Sequence, residues 1–191
     1  MKNWSFKKWN TVLGWVIFTI ALITYGSTME HYLSFWDCGE YISSAVKLEV
    51  THAPGAALFQ IVGAVASIFA LGNEQNYAIV INAMSSLFSA FTILFLFWTI
   101  THFVRRLLNK DFDEVTKHQE ISILFAGAVG ALCFTFSDSF WFSAVEGEVY
   151  SMASMFIALL VWLITKWENE YLAKDSERWI ILIFFVLGLS V

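Results

Sequence analysis

The sequence predicts an all-α, polytopic membrane bundle, and three observations carry that reading. Mean hydropathy is +0.65. Only 14% of the 191 residues are charged while 58% are hydrophobic. Several apolar runs approach the roughly 20 residues that a helix needs to cross about 30 Å of hydrocarbon. The nine Trp, six Tyr and 19 Phe gather beside these runs, as interfacial belts do. A net charge of −5 without a basic patch offers nothing to a nucleic acid. Cys38 and Cys133 are far apart and support neither a disulfide framework nor a CxxC site.

Taken in order, the apolar windows fall at about 11–28, 56–71, 78–101, 121–137, 151–165 and 179–191. The first follows Lys2, Lys7 and Lys8 and lacks an A-x-A-like cleavage site, so it reads as a retained signal anchor. The window 56–71 is Ala- and Gly-rich and too short to cross comfortably. It follows Pro54-Gly55, a natural place to start a helix. It is therefore expected to lie as a juxtamembrane helix in a long outer loop, 29–77. Helix 78–101 then returns to a basic inner loop, 102–120. Helix 121–137 leads to a second outer segment, 138–150, and helix 151–165 returns inside.

This arrangement puts ten of the eleven Lys and Arg residues inside and only Lys47 outside, in agreement with the positive-inside rule. If 56–71 crossed, Arg105, Arg106, Lys110 and Lys117 would lie outside and the acids of the two outer segments would be split across the bilayer. The acids among Arg and Lys in the inner loops, Asp111, Asp113 and Glu114 in one and Glu168 to Glu177 in the other, read as solvated linkers. The chain ends within an apolar run and is expected to be the N-terminal part of a longer protein.

The outer segments hold the reactive groups. Asp37 and Glu40 are three residues apart and share a face if a helix begins there. Such a pair can act as a general base with its orienting partner, or bind a hard cation. Equally, Asp37 can cap the helix with Glu40 closing a capping box. His52, in His52-Ala53-Pro54-Gly55, sits on a rigid turn. It can serve a phosphate or a metal, or simply be a surface histidine. Glu146 and Glu148 precede helix 151–165. They either favour its N-terminal dipole or form a second acidic patch facing the first.

Trp36-Asp37-Cys38-Gly39-Glu40-Tyr41, Lys47-Leu48-Glu49-Val50 and His52-x-Pro54-Gly55 together resemble the membrane proteins first grouped as domain of unknown function 2723. So do Asn82-Ala83-Met84-Ser85-Ser86 with the run 91–98, and Phe140-Trp141 with Ala144-Val145-Glu146-x-Glu148-Val149-Tyr150. The resemblance covers essentially the whole chain, with Bacteroidetes-type members looking most similar. Family members usually carry His-Pro-Pro-Gly where this chain has His52-Ala53-Pro54-Gly55, so the turn is expected to persist with less rigidity.

The family is classed as glycosyltransferase family 117 and is similar to protein O-mannosyltransferases. The resemblance implies a GT-C-like N-terminal module with juxtamembrane helices in its first outer loop. It also implies a polyprenyl-phosphate-linked sugar donor and transfer to Ser or Thr hydroxyls of exported proteins. Asp37 and Glu40 are the implied catalytic pair. Tyr41, Lys47, His52, Glu146, Glu148 and Tyr150 are the expected substrate contacts. No dedicated metal site is assigned, although the acids leave room for a divalent cation.

The expected setting is a bacterial inner membrane, with the N-terminus cytoplasmic and the site facing the periplasm. Lys47 is the one outer cation besides the histidines, so the phosphate-binding groups are expected beyond residue 191. The fragment by itself is expected to be inactive. Two readings from other classes stand beside this one: a transporter or flippase for lipid-linked sugars, and a structural subunit of an envelope complex.

Overall fold

A computed structural model describes residues 2–53, 55–108, 116–173 and 175–190. Pro54, Lys110, Asp111, Asp113, Glu114, Lys174 and Val191 lie outside the described residues. All regular structure among those described is helical. The α-helices are α1 (Lys2–Thr28), α2 (Cys38–Lys47), α3 (Ala57–Ser67), α4 (Tyr77–Leu108), α5 (Lys117–Thr135), α6 (Asp138–Ala144), α7 (Val149–Glu170) and α8 (Glu177–Leu189).

Among the described residues, four stretches are long and apolar enough to cross a membrane: Phe6–Thr28, Glu74–Leu108, Lys117–Thr135 and Val149–Glu170. The chain is thus a polytopic helical membrane bundle. Ala57–Ala70, which joins α3 to a short 3₁₀ turn, is apolar but below crossing length. The helices overrun the apolar windows, because polar ends such as Arg105 and Arg106 on α4 or Glu168 and Glu170 on α7 continue the helical hydrogen bonding into the headgroup zone. The short helix α6 occupies a stretch expected as loop.

Helix α4 is the axis. Slightly over half of its apolar window (56%) is buried, against 22–28% for the other three spans, which leaves those three with broad faces for lipid. Helices α1, α5 and α7 each pack along it. Between membrane helices no hydrophobic effect drives association, so close approach and dispersion must. The sequence of α4 supplies this with Ser85, Ser86, Ser89 and Ala90, all buried. Helix α5 answers with Gly127, where a Cβ would lie 2.5 Å from the Thr101 methyl and 2.9 Å from the Phe97 ring. Around this axis Ile17, Phe18, Ala21, Tyr25, Ile93, Leu94 and Phe97 form the main core.

The two ends of the bundle are tied differently. At one end the Tyr25 hydroxyl donates to the Thr135 carbonyl at 3.0 Å, and Trp141 Nε1 donates to Thr28 Oγ1 at 2.9 Å. The Glu30 amide donates to the Val145 carbonyl at 3.0 Å, and Ser86 Oγ to the Ala144 carbonyl at 3.1 Å. The end of α1, the start of α4 and the α6 segment therefore meet there. At the far end, Glu168 accepts His102 Nε2 at 2.9 Å and pairs with Arg106 at 3.3 Å. A capping box between Thr116 and Gln119 starts α5 on that side.

Candidate active site

Helix α2 is amphipathic by spacing. Cys38, Tyr41, Ile42 and Ala45 fall at i, i+3, i+4 and i+7 and are buried, which leaves Glu40 and Ser43 on the opposite side. It lies tightly on α3, where a Cβ at Gly63 would stand 2.7 Å from that of Ala45. It ends in a Schellman-type turn: the Glu49 amide donates to the Ser44 carbonyl at 2.8 Å, with Leu48 in the left-handed region (φ 54°). This reversal brings His52 back beside Glu40.

The resulting cluster is specific. Glu40 accepts the His52 backbone amide on Oε1 at 2.7 Å and lies 3.0 Å from His52 Nδ1 through Oε2. His52 Nε2, on the other side of the ring, is 3.8 Å from Asp37 Oδ2. Tyr41 packs its ring against His52 (5.8 Å) and against the buried Phe59 (5.7 Å). The Asp37 side chain remains 58% exposed.

The capping expectation for Asp37 is overturned. Asp37 occupies the position before α2, but its side chain makes no cap hydrogen bond and its backbone is αR (φ −81°, ψ −3°). A capping side chain works from an extended backbone. Glu40 is likewise spent on His52 rather than on a capping box. Neither acid of the pair caps the helix, and Asp37 is left with an open carboxylate.

The charges reinforce one another. The His52 amide, followed by its ring, holds the Glu40 carboxyl below its usual range. The hydrogen bond to Glu40, then its charge and that of Asp37, raises His52 towards the imidazolium. Burial raises Tyr41, and the nearby charges of Asp37, Glu148 and Glu40 add to it.

The two acids of the second segment do not form an open patch. Glu146 and Glu148 are buried, at 2% and 6% exposure. Burial raises both carboxyls; for Glu146 a hydrogen bond with Ser34 opposes this, and for Glu148 the charges of Glu146 and Asp37 add to it. The physical reason is Gly147 between them, where a Cβ would meet Asn82 Oδ1 at 2.9 Å and Ile42 and Ile81 at 3.1 Å. Only a glycine lets the segment lie so close on α4 and α2. Glu148 also precedes α7 without a side-chain cap. Tyr150 is exposed and lies close enough to act electrostatically on Tyr41. Lys47 stands in the last turn of α2, two turns beyond Glu40, and is not brought to the cluster.

Sequence reasoning missed the residues that join the two segments. Asn82 Nδ2 donates to the Glu30 carbonyl at 2.6 Å and to the Tyr32 carbonyl at 3.2 Å, while its Oδ1 faces Gly147. The Cys38 thiol, fully buried, interacts with the backbone of Ser34 and Gly147, and burial raises its pKa. The available signal was Asn82 itself, a polar amide within an otherwise apolar span, which needs a partner.

Asp37, Glu40 and His52 each offer one ligand atom within 4.8 Å of the others, so they fit a single cation.

Fold and site together define a polytopic membrane protein with a carboxylate–imidazole cluster at one end of its bundle. The family model described as the protein O-mannosyl-transferase TMEM260 N-terminal domain matches residues 37–191, and the chain belongs to that family. It is 29% identical over 164 residues to a protein O-mannosyl-transferase tmem260 of Dictyostelium discoideum, covering 86% of this chain and 18% of that protein. It is 27% identical over 176 residues to a protein O-mannosyl-transferase TMEM260 of Mus musculus, covering 92% and 22% respectively. The chain thus spans about a fifth of the length of these curated relatives. No solved structure matches it.

Proposed function

We propose that the chain carries the acceptor-activating part of a GT-C-type membrane glycosyltransferase, which moves a sugar from a polyprenyl phosphate to a Ser or Thr hydroxyl of an exported protein. The observation that carries this reading is the division of labour in the cluster. Glu40 is engaged by His52, while Asp37 is exposed, free of any capping bond and 3.8 Å from the His52 ring. A serine hydroxyl is a poor nucleophile near neutral pH and needs a base as it attacks. Asp37 fills that role.

In a single displacement the acceptor oxygen attacks the anomeric carbon as its proton passes to Asp37. The bond from that carbon to the phosphate oxygen breaks, and the polyprenyl phosphate leaves with inversion. Glu40 orients His52 and keeps it charged. His52 Nε2, half-exposed, is placed to donate towards the leaving phosphate. An apolar groove of about 520 Å³ beside Met29, Phe69, Val80 and Leu87, at the same end of the bundle, suits the lipid part of the donor.

The cluster faces the side opposite the N-terminus, which is cytoplasmic by the distribution of Lys and Arg. In the full-length protein, Asp37→Asn is expected to lower transfer by about 10²-fold or more. Undiminished transfer by a stably inserted variant would remove Asp37 as the base. A chelator is expected to leave transfer unchanged. Loss restored by Mg²⁺ or Mn²⁺ would instead assign Asp37, Glu40 and His52 as a cation site.

A further inference from the structure

Helix α3 touches both the apolar groove and the Asp37 cluster. Near its start, buried Phe59 meets the Tyr41 ring edge-on, with centroids 5.7 Å apart, and Tyr41 in turn packs on His52 at 5.8 Å. Near its end, Ala66 and Phe69, the latter in the 3₁₀ turn that continues α3, form one wall of the groove, with Val80 and Leu87 of α4 also lining it. Phe59 and Phe69 stand ten residues apart on one helical stretch, about 15 Å at 1.5 Å per residue. Three observations mark this stretch as able to move as a unit. Each end is a pair of left-handed residues: Gly55 and Ala56 (φ 93° and 40°) before it, Leu71 and Gly72 (φ 53° and 78°) after it. Ala56 and Leu71 carry side chains in that strained conformation, and such element-terminal residues are where hinges form. Gln60, on the buried side of α3 at 4% exposure, has no hydrogen-bond partner for either amide atom among the described residues. A buried amide without a partner is costly, so the present seating of α3 is not its best satisfied one. Phe69 is 76% exposed although it walls the groove, so a chain lying there would cover it.

We infer that α3 is a strap through which the lipid chain of the donor, lying in the groove, seats His52 for the reaction. The inference rests on the transfer reading above for what the site does. Every groove-lining residue among those described is apolar, which admits a hydrocarbon chain and turns away its phosphate. A chain against Phe69 draws that end of the stretch towards α4. The helix shifts as a body about its two ends, and Phe59 carries the shift to Tyr41 and so to His52. Part of the chain's binding energy is thereby used at the reacting end, and it appears in kcat as well as in KM.

Hydrogen–deuterium exchange of the full-length protein in phosphatidylcholine nanodiscs tests the strap without any sugar transfer. The probes are a long-chain polyprenol and farnesol, neither of which has a phosphate to place beside His52. Polyprenol should slow exchange at least about 5-fold in 57–70 and also in 40–52, and farnesol should not. Phe59→Leu should keep the protection of 57–70 and lose that of 40–52. Protection that stops at 57–70 in wild type, or that farnesol gives equally, would overturn the strap with no variant needed. So would protection of 40–52 that survives Phe59→Leu. With the mannosyl phosphates of the same two alcohols as donors, kcat should fall about 10-fold or more from polyprenyl to farnesyl. A change in KM alone would overturn the coupling. Absence of transfer from both donors would count against the transfer reading, and the exchange result would still decide the strap.

Discussion

At the scale of single residues, His52 governs the cluster, and its titration gives a signed prediction. Its pKa is raised, so its contact with Glu40 is fully formed below the ordinary histidine value of 6.5 and is lost as pH rises through the higher folded value. The Glu40 carboxyl is lowered, so its contribution is present above 4.5 and is lost as pH falls through the lower folded value. Transfer activity should therefore show an alkaline limb above the ordinary histidine range. Glu40→Gln should bring that limb down towards 6.5, and an unmoved limb would dissociate His52 from the reaction. The buried acids carry the opposite sign. Raised carboxyls hold protons longer in the folded state, so stability should fall as pH climbs past 4.5. Thermal melts at several pH values should show a shallower decline in E146Q/E148Q. The sequence displayed Asp37, Glu40 and His52 as a cluster, but it could not decide between capping and chemistry. That choice rests on one backbone angle at Asp37 and on a turn that closes twelve residues later, and neither leaves a mark on composition.

At the scale of elements, two backbone features carry the site. Leu48 ends α2 in the left-handed region while its side chain stays exposed (64%), so little packing offsets the strain. Leu48→Gly should stabilise the protein by about 0.5–1 kcal/mol, read as a higher Tm in detergent. An unchanged or lower Tm would mean that Leu48 contributes contacts outside this chain. Gly147 works in the opposite direction. A methyl there must push aside Asn82 and Ile42, and Gly147→Ala should cost about 1–3 kcal/mol and expose the Cys38 thiol to alkylation. Span existence was legible from hydropathy. Helix ends, α6 and the burial of Glu146 and Glu148 were not, because they depend on what α4 offers as a partner surface rather than on local periodicity.

At the scale of the whole molecule, the parity of crossings fixes what shares a side. With Ala57–Ala70 below crossing length, the acidic cluster and the α6 segment fall together, and the basic ends of α4 and α7 fall opposite. Cysteines introduced into 105–117 of the full-length protein should resist a membrane-impermeant maleimide applied to the outside of intact cells, and label after permeabilisation. Labelling before permeabilisation would invert the topology. The charge distribution predicts this arrangement, whereas the choice of α4 as the shared axis comes only from packing, through Ser85, Ser89 and Gly127.

The bond from the Glu30 amide to the Val145 carbonyl has a consequence in time as well as in space. A nascent chain inserts its first segments long before residue 145 leaves the ribosome, so the outer loop beginning at Glu30 must wait through two further insertions before its anchor exists. During that interval Asn82 and the Cys38 thiol lack their final neighbours at Gly147. A pulse of thiol reagent during synthesis should therefore modify Cys38 in nascent chains arrested before residue 145 and spare it in completed ones, so that Cys38 reports the order in which the protein is assembled.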